Sequence, residues 1–282
     1  MYYLEGSQEI LRNCAVLSHP YLNGGPVTQQ ALRGAYLRLL KELAPAGAYA
    51  RYLEERLEGD AADGPPVTLY TDRQQETDAL AEVFGLGDDP RPTGAIASHQ
   101  LDKCRAGAAF LAERDGELAA LVSLLTHTVF TLPASWTGSM SERNAIGATL
   151  VIPDEHWHVN DVAEAFLHEF THTALFLDER AKGHFQAGAD QVLLRSAIRK
   201  DERTLPAVVH SLLVATEVLT WRHRHGLDED TGFRLHGSTR SMLERATESY
   251  DALTSLPAWR EDIVKDRMFQ LVESAGKHLS AL

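Results

Sequence analysis

Asn160-Asp161-Val162-Ala163-Glu164-Ala165-Phe166-Leu167-His168-Glu169-Phe170-Thr171-His172 decides how the rest of this 282-residue chain is read. Its last five residues have the form HExxH, and the residues before them suit the opening turns of a buried helix. Residues four apart on a helix lie one above the other, so His168 and His172 can converge on one metal ion with Glu169 beside them. Asn160 is the candidate N-cap, and Asp161 falls in the first turn, where a carboxylate complements the positive end of the helix dipole. Through Ala174-Leu175-Phe176-Leu177 the segment stays apolar nearly all round, which predicts a central helix rather than a surface one. Histidines buried there need polar partners.

Upstream, Val129-Phe130-Thr131-Leu132 and Ala148-Thr149-Leu150-Val151-Ile152 are β-prone runs flanking a polar stretch, 135–144. They predict a small antiparallel sheet beside the HExxH helix, an arrangement that recurs in metallopeptidases. Downstream, glycines at 183 and 188 break the helix, and 191–203 reads as amphipathic helix or ordered loop. Pro206 suits the first turn of a helix over 207–224 that carries His210, Val214, Glu217 and Trp221 on one face. Helices over 238–255 and 259–279 finish the chain.

The first sixty residues read as two or three helices. One starts at Thr28 and puts Leu32, Tyr36, Leu39, Leu40 and Leu43 on a shared face. A loop at 60–66 precedes a short β-rich run, Val67-Thr68-Leu69-Tyr70. Helical character returns over 96–126, interrupted at Asp115-Gly116. The expected fold is mainly α with a small sheet, α+β with a metallopeptidase-like core. The expected organisation is a single domain, 1–282, with a mostly helical portion at 1–128 and the metal-binding core and C-terminal helices at 129–282.

Composition narrows the functional classes. Apolar residues at 44% and charged residues at 24% are ordinary for a globular protein. No run of eighteen apolar residues occurs and the N-terminus lacks a basic-then-apolar signal pattern, so a cytoplasmic protein with no membrane partner is expected. Cys14 and Cys104 stand far apart without a CxxC, which argues against a disulfide framework or thiolate cluster and leaves imidazole as the plausible soft ligand. A net charge of −13 argues against nucleic acid as a partner. Of the local basic stretches, 195–203 suits an anionic small ligand, and Arg222-His223-Arg224-His225 reads as a solvated helix end.

Two histidines underprovide a metal, and the helix over 207–224 offers two candidates for a third ligand. Glu217 would complete the set used by thermolysin-like zinc peptidases, with Glu169 as general base. His210 would complete a three-histidine set, suited to zinc or to a non-haem iron that keeps positions open for an oxo-acid and O₂. The residues alone leave both open. Asp178, six positions after His172, reads as a partner to a ligand or a helix-end residue rather than as a ligand itself.

The run from Ala165 to His172, followed by Leu193 to His210, resembles the HExxH-type peptide β-hydroxylases of ribosomal peptide natural-product pathways. Those proteins show an HExxH helix, a basic segment of the form R-x-D-x-R, here Arg199-Lys200-Asp201-Glu202-Arg203, and a helix with a His shortly after a Pro. The resemblance covers about residues 145–225 and departs from the pattern in having Thr204 and Leu205 between Arg203 and Pro206. It implies Fe(II) and 2-oxoglutarate, with His168, His172 and His210 as ligands, Glu169 as an orienting group, and hydroxylation at a side-chain Cβ of a precursor peptide. The distal carboxylate of 2-oxoglutarate calls for an arginine. Arg203, just before the His210 helix, is the first choice, with Arg199 and Arg195 in reserve. An extended peptide is expected to pair along 148–152, with 183–188 as a surface loop able to close over it. A zinc peptidase and an inactive HExxH scaffold that binds a peptide are the alternative readings.

Overall fold

A computed structural model describes residues 1–22, 24, 27–58, 82–85, 98–131, 136–227, 233–256, 259 and 263–282. The β-rich run at 67–70 lies outside them. The chain opens with helices α1 (Tyr2–Glu5), α2 (Ser7–Ser18), α3 (Gln29–Leu43) and α4 (Ala48–Glu58), followed by α5 (Ser98–Arg114) and α6 (Gly116–Leu125). Strands β1 (Thr128–Phe130), β2 (Gly138–Ser141) and β3 (Ala148–Ile152) lead into α7 (Val159–Lys182). A short hairpin, β4 (Leu193–Arg195) and β5 (Glu202–Thr204), then precedes α8 (Leu205–Arg224), α9 (Thr239–Thr254) and α10 (Asp266–Leu279). The molecule is mainly helical with a small sheet, as the sequence pattern predicts.

Helix starts follow local chemistry. The Thr28 hydroxyl accepts from the Ala31 N–H and caps α3, whose Leu32, Tyr36, Leu39 and Leu40 are buried. Asp115 caps α6 by accepting from Leu118 N–H, which explains the interruption between α5 and α6. The HExxH helix begins two residues earlier than expected. The Asp161 carboxylate accepts from the His158 N–H at 2.9 Å, so His158 is the N-cap instead of Asn160.

The three-stranded sheet is mixed. β3 lies between β1, which is parallel to it, and β2, which is antiparallel. The expected antiparallel pairing of the runs at 129–132 and 148–152 does not hold: β1 and β3 are parallel, and the antiparallel partner of β3 is β2, which lies inside the polar stretch read as their connection. Residues 191–203 also differ from expectation. They make a 3₁₀ turn at Ala189–Gln191 and the antiparallel β4–β5 pair.

α7 is the axis of the molecule, packed against α2, α5, α6, α8 and the sheet. Its approach to α5 depends on Gly107, where a Cβ would meet the Val162 side chain at 2.4 Å. α8 lies between α7 and the C-terminal helices α9 and α10, and also touches α1. One apolar cluster runs through these layers from Met1 to Leu279. Cys14 and Cys104 are free and buried in it, and burial pushes both thiols up to about 12, which fits a packing role. Among the described residues no helix is long and apolar enough to cross a membrane.

Candidate metal centre

His168 and His172, one turn apart on α7, hold their rings 5.0 Å apart. A donor atom from each and one from Glu169 lie within 4.8 Å of one another, and His168 Nε2 is 3.8 Å from Glu169 Oε1. The two imidazoles open onto a cleft of about 470 Å³ walled by β2, the turn of the β4–β5 hairpin and α9. That is a concave site of the size small ligands use.

Burial governs the charges. It lowers His172 to about 4 and His168 well below the usual histidine range, and the positive field of Arg199 adds to both. The pair is therefore neutral, the state in which imidazole ligates a metal. Burial raises Glu169 to about 7, partly offset by the hydroxyls of Ser139 and Ser141 on β2 and by Arg199. Its Oε2 is buried and has no hydrogen-bond partner among the described residues. A neutral imidazole pair beside an unpartnered carboxylate oxygen fits a transition-metal ion with a polar group next to it.

The two candidates for a third ligand have separate surroundings. His210 faces α7, its ring 5.8 Å from that of His172 and 5.6 Å from Phe176, though it stays outside the tight donor group. Glu217, seven residues on, shares its stripe but lies about 10 Å further along the axis, where the neighbour is the N-terminal segment. There its carboxylate accepts from the backbone N–H groups of Tyr3 at 3.0 Å and Leu4 at 3.1 Å, and pairs with the Met1 amino group. Glu217 is fully buried and committed to that segment.

The basic segment also resolves differently from expectation. Arg203 makes a two-pronged ion pair with Asp201 at 2.9 and 3.0 Å and is not on the cleft wall. Arg195 is an exposed strand residue, also off the wall. Arg199 is on it, because the turn joining β4 to β5 projects inward, with Lys200 in a left-handed conformation and Ser196 N–H bonded to Asp201 O at 2.8 Å. A hairpin, where the sequence suggested helix or loop, moves the cleft arginine from 203 to 199. The Arg199 guanidinium is not tied up in an ion pair or hydrogen bond with any described residue.

His236 escaped the sequence reading. Its Nε2 is 3.0 Å from His168 Nδ1, the rings nearly parallel at 9° with centroids 5.0 Å apart. The strap that carries it, 233–237, is fastened along one stripe of α7. Asp161 Oδ1 accepts from the N–H groups of Arg234 at 2.6 Å and Leu235 at 2.9 Å. One turn on, buried Glu164 accepts from His236 Nδ1 at 3.0 Å and pairs through both oxygens with Arg222. Arg222 lies 3.6 Å over the Phe233 ring and donates to Gly237 O. The sequence placed Arg222 on a solvated helix end, yet it is fully buried, and only His223 and Arg224 after it are exposed. Arg245 of α9 completes the clasp, donating to the carbonyls of His236 and, at 3.4 Å, Ile198. The signal for this strap was present: two acids, Asp161 and Glu164, interrupt an otherwise apolar face seven and four residues before His168.

Asp178 ends the same helix in a separate network. Burial alone would raise its carboxyl, but hydrogen bonds from His184 and Arg267 hold it well below the usual range, and Asn13 donates to it at 2.7 Å. The loop at 183–188 is tied down beside it: Gln186 N–H bonds Ile263 O at 2.8 Å and Lys265 N–H bonds His184 O at 2.9 Å, which leaves it no freedom to close as a lid.

No protein-family model matches the chain, and no curated protein matches it.

Proposed function

We propose that this chain is an Fe(II)/2-oxoglutarate-dependent hydroxylase that acts on a side-chain Cβ of a ribosomally made precursor peptide. The observation that carries the reading is the contrast on α8: the His210 ring lies 5.8 Å from that of His172, whereas Glu217 is saturated by the N–H groups of the N-terminal segment. His168, His172 and His210 would hold the iron. Iron with bound 2-oxoglutarate would supply the activation of O₂ that replaces C–H by C–OH, releasing succinate and CO₂.

The residues of the chain do the rest. Arg199 meets the distal carboxylate of the oxo-acid through paired N–H donors. Glu169 Oε2, with no partner among the described residues, holds a hydrogen bond to the polar group that enters the cleft. The apolar side chains of Met140, Ile198 and Leu235 on the cleft wall keep water from the reacting carbon. The peptide is expected on β2 instead of β3. β3 is paired on both sides, whereas β2 has a free edge among the described residues and forms one wall of the cleft.

Incubation with a cognate precursor peptide, Fe(II), 2-oxoglutarate and O₂ should give succinate and an uncut peptide heavier by one oxygen. A second reading, zinc-dependent peptide hydrolysis, draws on the elevated Glu169 carboxyl, poised near neutrality as a general base is. Two shorter fragments formed with zinc and without O₂ would establish that reading and overturn the first.

A further inference from the structure

We propose that His236 is a positioning residue that sets the tautomer of His168, leaving the lone pair of that ring on Nε2, where a metal would take it. The inference rests on the reading of His168 and His172 as a metal pair, and it follows from the donors and acceptors along one stripe of α7. Glu164 is fully buried, and both its oxygens receive N–H groups of Arg222, so it offers lone pairs only. The ring nitrogen that meets it is Nδ1 of His236, which must therefore bear hydrogen. Arg222 already balances the Glu164 charge, so the imidazole added to that pair is taken as neutral; it then has one N–H, and Nε2 of His236 is an acceptor. It sits 3.0 Å from Nδ1 of His168. Two facing lone pairs repel, hence His168 carries its hydrogen on Nδ1. Its Nε2 is then bare, 3.8 Å from Glu169 Oε1.

Geometry holds this relay in place as well as chemistry. The two rings are nearly parallel and meet edge to edge, as an in-plane bond between ring nitrogens requires, and that bond restrains rotation of His168 about its χ2 bond. The strap carrying His236 cannot drift, since Asp161 binds its backbone at two N–H groups and Arg245 and Arg222 hold its carbonyls. A metal-binding imidazole commonly donates its other N–H to a carboxylate or carbonyl. Here a second imidazole stands between, relaying the polarity of a buried ion pair to the metal-facing atom.

Three variants of the full chain separate the effects. His236→Ala removes the relay, His236→Phe keeps an aromatic ring without polar atoms, and His236→Gln preserves the polarity, with its amide N–H toward Glu164 and its oxygen toward His168. Zinc affinity, read by competition with a chromophoric chelator, should fall roughly 10–100-fold in the Ala and Phe variants and stay near wild type in the Gln variant. Nitrogen-15 NMR of the metal-free protein should show His168 as the Nδ1–H tautomer in the wild type and Gln variant, and a mixture in the Phe variant. Wild-type affinity and an unchanged His168 tautomer in folded His236→Phe would overturn the inference. So would a zinc-induced shift of His236 Nε2 to the position of a bound nitrogen, which would make it a ligand. His168→Ala and His172→Ala are the controls for the underlying reading: loss of zinc there with full retention in His236→Phe rejects the relay alone, and retention in all rejects the metal pair itself.

Discussion

Glu164, Glu169 and Glu217 are three glutamates at 0–1% exposure with three different fates, and their neighbours decide which. Glu164 meets a guanidinium, Glu217 meets backbone N–H groups, and Glu169 keeps an oxygen without a partner among the described residues. The difference predicts opposite outcomes for two substitutions on α8. His210→Ala should lose metal and activity with little change in stability. Glu217→Gln should retain metal and lose stability by about 1–3 kcal/mol, the cost of weakening buried hydrogen bonds; metal content and thermal melts of both variants check this, and loss of metal in Glu217→Gln would point to the peptidase ligand set. For the oxo-acid, Arg199→Ala should weaken apparent 2-oxoglutarate binding by about 1.5–3 kcal/mol, the loss of a charge-assisted contact, while Arg203→Ala, whose guanidinium is spent on Asp201, leaves it unchanged. The histidine pair was legible because four-residue spacing on a helix is a purely local fact. Choosing between His210 and Glu217 was not, since both lie on one stripe and only the element packed over each turn tells them apart.

Local signals also fixed most of the helices. Thr28, Asp115 and Ser238 each cap the helix that follows through a side-chain oxygen, and these are contacts within a few residues. The β4–β5 hairpin was missed because its strands are three residues long, too short for an alternating pattern to register against a helical one. Arg222 was misread for a related reason: His223 and Arg224 beside it are indeed solvated, and the partner that buries it, Glu164, is 58 positions away. That pair joins α7 to α8 and holds the strap, so its two halves should not behave independently. Glu164→Gln or Arg222→Met alone leaves a buried charge uncompensated and should cost about 3–5 kcal/mol. The double variant should recover part of that loss, and a double-mutant cycle by denaturant unfolding would read the coupling; additive effects would mean the pair is not a unit.

For the molecule as a whole, acid is the weak side. His127 is buried between the Tyr49 and Thr128 hydroxyls, and burial, with the nearby Arg56 and Arg33, lowers it to about 3. The unfolded chain takes up a proton there near pH 6.5 that the folded chain refuses. Stability from this group is thus complete above that pH and is lost as the pH falls toward 3. His127→Gln should make the stability profile shallower by up to about 1.4 kcal/mol per pH unit between about pH 6 and 4, measured by urea unfolding of metal-free protein. An unchanged slope would mean that His127 is protonated in the fold.

The stripe on α7 has a use beyond this chain. Asp161, Glu164, His168, Glu169 and His172 spell D-x₂-E-x₃-H-E-x₂-H, a twelve-residue signature more than twice the length of the HExxH pentapeptide. The pentapeptide alone marks a pair of ligands. The two added acids mark something to be fastened: a downstream segment bringing one histidine and, on the next helix, an arginine to face the inner acid. Sequences with the full signature can therefore be sorted from ordinary HExxH proteins by inspection, by looking for that arginine on the helix that follows and that histidine shortly after it.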